Sequence, residues 1–260
     1  MSGPGSPSGS ASVGAGGGQG LVNKYCINKI EEAKSGKIAP VVGFENEISV
    51  IFEILGRKTK SNLLITGESG VGKTSLINAF VKQLCEGHVP SFLSNAVAYE
   101  LDVAGIGSDA AYKGELEDRF KNLLREIKEQ PNAILIIESI DKLFDKQSSL
   151  YGASSILKQE LNKGGLLLLC TSSIDGYTKN IETDKEFVTK LETITLEEPN
   201  TDLCLRILKG ALGTYSEYHH LAVDEAVMGD AIRLSKRYLT EKALPDSAFD
   251  LIDRTMALVK

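Results

Sequence analysis

Short apolar runs bounded by turn residues recur along the chain and predict five β-strands. The clearest run is ILII at residues 134–137, which is continuously apolar, as expected of a strand buried on both faces. The predicted strands cover residues 62–66, 96–103, 133–137, 166–171 and 193–196. Strands of this kind are typical of a parallel sheet with helices packed on both faces.

Helical periodicity fills the intervals between these strands, with apolar residues three and four positions apart. The predicted helices of this part cover residues 45–55, 73–85, 114–129 and 155–161. Beyond Pro199 no strand pattern remains, and amphipathic helices are predicted at residues 202–212, 224–238 and 246–258. We therefore expect an α/β body with a five-stranded parallel sheet over residues 21–197, followed by a small α-helical lid over residues 198–260.

The first 20 residues consist almost wholly of Gly, Ser, Ala and Pro. Such a segment buries too little apolar area to offset the entropy lost on ordering. We expect residues 1–20 to be either a flexible tether or an expression remnant.

Composition narrows the possible partners and location. A formal charge of -6 and a pI near 5.3 argue against a nucleic-acid partner. Because no apolar run reaches 18 residues and no secretory signal is present, we expect a cytoplasmic chain without a membrane partner. The four cysteines have neither disulfide nor zinc spacing, and the three histidines are expected at the surface.

A glycine-rich motif follows the first predicted strand. LLITGESGVGKTSL places the pattern GxxxxGK[ST] between a strand and a helix. Its glycines let successive backbone N–H groups surround a phosphate at the positive end of the helix, while the lysine adds a point charge and the threonine hydroxyl can hold Mg²⁺. The predicted phosphate-binding residues are Gly67, Glu68, Ser69, Gly70, Val71, Gly72, Lys73 and Thr74.

Four segments in the same order resemble the first nucleotide-binding module of the Clp disaggregase and unfoldase family of AAA+ proteins. They are YCINKIEEAKSGKIAPVVGFENEI, LLITGESGVGKT, AAYKGELEDRFK and ALPDSAFDLID, so the resemblance runs from residue 25 to the last residue. Within that family the chain is similar to ClpB and to its type VI secretion relative ClpV. The resemblance implies ATP or ADP with Mg²⁺, a six-membered ring, and a polypeptide substrate threaded through a central pore.

The resemblance also assigns the two sides of the adenine ring and the pore. Pro40, Val41, Val42 and Gly43 match the segment that wraps the base. Ile207 and Pro245 match lid positions on its other side, although Ile207 is equally a candidate core residue. The pore-loop motif falls on Tyr112, Lys113 and Gly114, where the alternative is a surface tyrosine that packs locally.

The chain departs from the family at the end of the third strand. The family has an aspartate that holds Mg²⁺ through water and then a glutamate that polarises the attacking water, but this chain has Glu138 and Ser139. Glu138 can still assist Mg²⁺, whereas a serine has no basicity near neutral pH. Asp141 lies three residues beyond Glu138, where we expect a loop, and would need an unusual bend to reach the site.

A second departure concerns the residues that the family extends into the neighbouring subunit. A pair of arginines is replaced here by Thr189 and Lys190, and lysine lacks the forked donor geometry of arginine. Ser247 replaces a lid lysine, and Phe44 replaces an arginine near the adenine. The sensor segment keeps its hydroxyls, at Thr171, Ser172 and Ser173.

These features predict a ring-forming, nucleotide-binding module of a protein-remodelling motor that hydrolyses ATP poorly. Two alternatives stay open. One is a fully active ATPase module in which Glu138 or Asp141 supplies the lost chemistry, and the other is an interaction scaffold that nucleotide only stabilises.

Overall fold

The structure is a computed structural model that describes residues 20–39, 41–109 and 113–259, without the side chain of Lys113. The predicted tether, apart from Gly20, lies outside the described residues, as do Pro40 and Tyr112. Within the described ranges, no helix is both long and apolar enough to cross a membrane.

A six-stranded sheet forms the centre of the body, in the spatial order β1-β3-β4-β5-β2-β6. Five strands are mutually parallel, and β1 pairs antiparallel with β3 at one edge. The strands are β1 Cys26–Asn28, β2 Asn62–Thr66, β3 Val97–Leu101, β4 Ala133–Ile137, β5 Leu167–Ser172 and β6 Leu191–Thr195.

The predicted α/β fold with a parallel sheet is confirmed, but the expected strand number was wrong. The five predicted strands all form, and those at residues 62–66 and 133–137 form with the predicted bounds. The sixth strand, β1, has only three partly exposed residues and no apolar run that could identify it. It exists because Ile27 and its neighbours pair with residues 99–101 of β3, which is a tertiary contact.

Helices flank the sheet on both faces and continue beyond it. Those of the first two thirds of the chain are α1 Leu21–Tyr25, α2 Lys29–Lys34, α3 Glu45–Leu55, α4 Lys73–Glu86, α5 Val103–Ser108, α6 Lys113–Glu129, α7 Asp141–Phe144 and α8 Gly152–Lys163. The remainder are α9 Ile174–Gly176, α10 Lys185–Val188, α11 Thr201–His219, α12 Glu225–Tyr238 and α13 Asp246–Val259.

Two apolar layers cover the two faces of the sheet. Alternate residues of β4 belong to different layers: Ile134 and Ile136 pack with α3 and α4, and Leu135 and Ile137 pack with α6 and α8. All four of these side chains are fully buried, because a parallel strand in the middle of the sheet has no solvent-facing side. The buried middle of the sheet therefore lies directly below the carboxyl ends of β2 and β4.

The last three helices pack around a core of their own. Leu208 of α11, Ile232 of α12 and Ile252 of α13 are among its buried members. His219, at the end of α11, is also buried, so the expectation of three surface histidines was wrong for this one. Its Nε2 lies 2.7 Å from Oδ1 of Asp253, and its Nδ1 is buried without a hydrogen-bond partner.

Replacing Asp253 by Ala should destabilise the protein, because the buried imidazole of His219 then loses its remaining partner. A buried polar group left without a partner costs about 1–3 kcal/mol. We expect the free energy of unfolding in urea to fall by about that amount. The control is Asp230→Ala, which removes half of an exposed pair with Arg233 on α12 and should change stability by less than about 0.5 kcal/mol. Equal effects of the two substitutions would contradict this role of His219.

Candidate functional site

A cavity of about 670 Å³ opens above the carboxyl ends of β2, β4 and β5 and is closed on one side by residues of α11 and by Pro245 and the start of α13. Cavities of this size and position are the usual ligand sites of open α/β folds. The loop after β2 together with the first two residues of α4, residues 67–74, contributes Ser69, Gly70, Gly72, Lys73 and Thr74 to the lining. We call this loop the P-loop.

The conformation of the P-loop depends on glycine at two positions. Gly70 and Gly72 have φ angles of 87° and 103°, in the left-handed region that only glycine adopts without strain. A Cβ at Gly70 would also lie 2.8 Å from Cβ of Asp246 and 2.9 Å from the carbonyl oxygen of Ala243. Both lid residues therefore approach the loop as closely as its backbone permits.

The carbonyl oxygens of the P-loop have partners in two places. Lys73 Nζ donates to the carbonyl oxygens of Gly67 and Glu68, each at 2.8 Å. The carbonyl oxygens of Ser69 and Gly70 accept from the lid amides of Ala243 at 2.8 Å and Asp246 at 3.3 Å. Since these four consecutive carbonyls are bonded in this way, the loop has a fixed conformation in front of the amino end of α4, where anions bind favourably.

Lys73 is the one basic residue within the P-loop itself. Partial burial lowers the pKa of its ammonium, and the carboxylates of Glu68, Asp141 and Glu138, in that order, oppose the shift. A desolvated cation next to backbone amides is suited to a phosphate group.

Thr74 and Glu138 meet at the cavity wall, where the threonine hydroxyl donates to Oε2 of Glu138 at 2.7 Å. Burial raises the pKa of Glu138, and the hydrogen bond from Thr74 opposes this. The two oxygens are close enough to contact one small cation, and both are the hard ligands that Mg²⁺ prefers. The described residues contain no group of three or more His, Cys, Asp or Glu side chains able to hold a metal.

The chain turns sharply where β4 ends. Ser139 has a φ of 53°, and its N–H donates to Oγ1 of Thr171 at 3.1 Å while Ile140 N–H donates to the Thr171 carbonyl at 2.9 Å. A left-handed serine is uncommon and redirects the backbone. The residues after it form the helix α7 instead of the expected loop, and α7 begins at Asp141, which lines the cavity.

The sensor hydroxyls occupy the end of β5 and the residue after it. Thr171 and Ser173 both line the cavity, and the Ser173 hydroxyl accepts from Gly176 N–H at 2.9 Å, which caps α9. Ser172 is fully buried and donates to Oδ1 of Asp141 at 3.0 Å. The expected hydroxyls are therefore at the site, but each already contacts the protein.

Apolar side chains line the other half of the cavity. Val41, Val42, Ile207 and Pro245, which the resemblance assigns to the two sides of the adenine, are among them. Gly43 has a φ of 96°, and a Cβ there would lie 2.6 Å from Cδ1 of Leu203. The prediction missed several lining residues, which are Ala39, Phe44, Ser75, Asn78, Lys142, Ala211, Asp246 and Phe249.

Helical spacing could have found two of the missed residues. Ala211 follows Ile207 by four positions on α11, and Phe249 follows Pro245 by four positions at the start of α13. Residues four apart lie on the same face of a helix. The sequence identifies Phe44 only as the replacement of a family arginine. In the structure Phe44 is buried, and a Cβ on Gly72 would lie 3.1 Å from its ring.

Some predicted residues lie away from the cavity. Among the described residues, those that do not contribute to its lining are Gly43, Gly67, Glu68, Val71, Gly114 and Lys190. Lys190 precedes β6, whose first residue pairs with the first residue of β2, so it lies at the edge of the sheet opposite the P-loop. Lys113 and Gly114 form the first turn of α6, so the helix begins one residue before its expected start. Ser247 is buried and accepts a hydrogen bond from Ser235 through its carbonyl oxygen at 3.1 Å.

Sequence comparison identifies two known families along the chain. Residues 63–187 match the ATPase family associated with various cellular activities (AAA), and residues 200–260 match the AAA lid domain. The chain is 36% identical over 242 residues to the chaperone protein ClpB of Bacteroides thetaiotaomicron. This alignment covers 92% of this chain and 28% of that protein. It is 33% identical to the ATP-binding subunit ClpE of the Clp protease from Lactococcus lactis. That alignment covers 91% of this chain and 32% of the relative.

Solved structures show the same relationship in three dimensions. The S. cerevisiae Hsp104–ADP complex superposes with a TM-score of 0.84 at 35% identity over 92% of this chain and 34% of that one. An S. cerevisiae Hsp104–casein complex superposes with a TM-score of 0.83 at 34% identity over 92% and 41%. The chain thus spans about a quarter to two fifths of these relatives. On these matches the chain belongs to the Clp and Hsp104 family of AAA proteins and consists of an AAA module with its AAA lid.

Proposed function

We propose that this module binds ATP or ADP with Mg²⁺ and hydrolyses ATP slowly, within a ring motor that remodels polypeptides. The observation that carries nucleotide binding is the P-loop, whose glycines, lysine and lid contacts together fix a phosphate site at the amino end of α4. The body, residues 21–197, supplies the phosphate and base surfaces, and the lid, residues 198–260, closes the cavity through Ile207 and Pro245.

Thr74 and Glu138 are the residues proposed to hold the magnesium ion. When bound, Mg²⁺ draws charge from the phosphate oxygens and so stabilises the charge that develops as the phosphoryl group is transferred. The side chains of this chain then have to bind the phosphates, orient the nucleotide and place the attacking water. Lys73 and the P-loop amides serve the first task, and the apolar half of the cavity serves the second.

Slow hydrolysis follows from two replaced groups. Ser139 lines the cavity but cannot accept a proton, and losing a general base costs about 100- to 10,000-fold in rate. Lys190 lies at the far edge of the sheet, so it can act only on the nucleotide of another copy, and there it lacks the fork of an arginine. An arginine that reaches the nucleotide of a neighbouring subunit raises the rate of hydrolysis by about 1,000- to 100,000-fold where it is present. The effects of losing this arginine and the general base need not add.

A ring and a threaded polypeptide are proposed by analogy with the relatives. The relevant observation is that Hsp104 structures similar to this module have been solved with casein. The proposed pore residues are Tyr112, Lys113 and Gly114, of which Tyr112 lies outside the described residues. The likeness to ClpV suggested that the polypeptide substrate is a type VI secretion sheath. That identity of the substrate stays a prediction.

Replacing Lys73 by Ala should weaken ATP binding by about 10- to 150-fold, because a charge-assisted hydrogen bond contributes about 1.5–3 kcal/mol. Isothermal titration calorimetry measures this loss. The matched control is Lys82→Ala, which alters the same helix at a partly exposed lysine paired only loosely with Glu86, at 3.9 Å. If both substitutions leave the affinity unchanged, the P-loop is not the nucleotide site.

The wild-type module should release phosphate in a single turnover at about 0.1 s⁻¹ or slower, because a median enzyme turns over at about 10 s⁻¹ and a missing base removes at least about two orders of magnitude. The measurement uses the full-length assembly, with any further nucleotide-binding module silenced by substitution of its own P-loop lysine. Lys73→Ala in the same assay reports contaminating activity. Release near 10 s⁻¹ would favour the fully active alternative.

A further inference from the structure

The bend at Ser139 brings a carboxylate to the cavity that the proposed function does not use. Because Ser139 takes a left-handed conformation, the backbone turns immediately after β4 and α7 starts at Asp141. Asp141 then lines the same cavity as Lys73, Thr74 and Glu138. Asp141 lies three residues beyond Glu138 and needs an unusual bend to reach the site, and the left-handed Ser139 provides that bend.

The carboxylate of Asp141 contacts β5 and α9, and its backbone carbonyl contacts Asn180. The hydroxyl of Ser172 donates to Oδ1 of Asp141 at 3.0 Å, in a bond that its one proton shares with the carbonyl oxygen of Ser173, also at 3.0 Å, and Ser172 itself is fully buried. Gly176 packs against the carboxylate so closely that a Cβ there would lie 2.5 Å from Oδ2. Asn180 Nδ2 donates to the Asp141 carbonyl at 3.4 Å. A side chain fixed in this way loses little entropy when it orients a ligand.

Asp141 lies at the phosphate end of the cavity. Its hydrogen-bond partner Ser172 pairs in the sheet with Thr66, the residue immediately before the P-loop. Glu138, three residues before Asp141, accepts from Thr74 of the P-loop at 2.7 Å. Asp141 therefore belongs to the reacting end of the site and not to the base-binding end.

The other groups of the lining are occupied or unsuited as proton acceptors. Three acidic residues line the cavity within the described part of the chain: Glu138, Asp141 and Asp246. Glu138 is bonded to Thr74 at the proposed magnesium position, and Asp246 belongs to the lid and pairs with Lys242 at 3.2 Å. Ser139, Thr171 and Ser173 carry hydroxyls without basicity near neutral pH.

We propose that Asp141 is the catalytic carboxylate that orients and deprotonates the attacking water, and that Ser172 is its positioning residue. The inference rests on the proposed function and deepens it, since Asp141 would recover only part of the rate that a glutamate at residue 139 supplies, and hydrolysis would be slow but dependent on Asp141. The water oxygen forms a bond to the γ-phosphorus while the bond from that phosphorus to the β,γ-bridging oxygen breaks. The bridging electron pair stays on ADP, and the water proton moves to Asp141 and then to the departing phosphate or to solvent.

Asp141→Asn tests this assignment, because it keeps the size of the side chain and an oxygen that accepts from Ser172. Single-turnover hydrolysis in the full-length assembly should fall by about 100-fold or more. Calorimetric affinity for ADP should stay within about twofold, while affinity for ADP with aluminium fluoride, which mimics the transferring phosphoryl group, should fall by about tenfold or more. The control is Asp175→Asn, which changes a highly exposed aspartate next to Gly176 that pairs weakly with Lys179 and should alter none of the three values.

A second variant covers the case in which Asp141→Asn fails to fold. Ser172→Ala leaves the carboxylate but removes its hydroxyl anchor, and should slow hydrolysis by about tenfold with the affinity for ADP unchanged.

Three outcomes overturn the inference while leaving nucleotide binding intact: unchanged hydrolysis in Asp141→Asn, equal losses for ADP and its aluminium fluoride complex, or wild-type hydrolysis no faster than that of Lys73→Ala. Failure of the wild-type protein to bind ADP or ATP would instead refute the proposed function itself. The two failures are therefore distinguishable in one set of measurements.

Discussion

The fixed orientation of the P-loop peptides is the constraint on which the rest of this structure depends. A loop that binds an anion must turn its N–H groups inward, and it keeps that conformation only if its carbonyl groups are bonded elsewhere. Here Lys73 bonds the first two carbonyls and the lid amides of Ala243 and Asp246 bond the next two. The proposed phosphate site therefore depends on the lid as well as the body, and the packing at Gly70 leaves no room for a side chain between them.

This arrangement explains how binding and hydrolysis can change independently in one module. The phosphate-binding groups all come from one loop and its helix, whereas the groups that would act on the water come from the ends of β4 and β5. A substitution at the end of β4, such as serine at residue 139, alters the second set without disturbing a carbonyl or a glycine of the loop. The bond between Thr74 and Glu138 is the single direct side-chain hydrogen bond that joins the two sets among the described residues.

Most of the fold, and the phosphate half of the site, could be predicted because they are encoded locally. Continuous apolar runs gave the bounds of β2 and β4, and the glycine-rich motif lies between a strand and a helix as its pattern requires. What escaped prediction depends on contacts between distant residues. Strand β1 forms by pairing with β3, and His219 is buried and bonded to Asp253 of another helix. The position of Asp141 follows from a left-handed Ser139 bonded to Thr171. A single sequence carries no periodic signal for any of these.

Lys190 lies too far from the P-loop of its own chain to contact a phosphate bound there. Parallel strands share one direction, so the residue that precedes β6 is a full strand length from the P-loop that follows β2. A charge at that distance in the same chain is largely screened from the phosphates. On the proposed function, the cavity of one chain thus contains a complete binding site but an incomplete reaction centre, and a neighbouring copy must supply whatever cation reaches the outer phosphate. Because that cation is a lysine, with one compact charge and no planar fork, the interface gains attraction for a triphosphate while gaining little selectivity for the transition state. Assembly and nucleotide binding can then reinforce each other in this module even where cleavage remains slow.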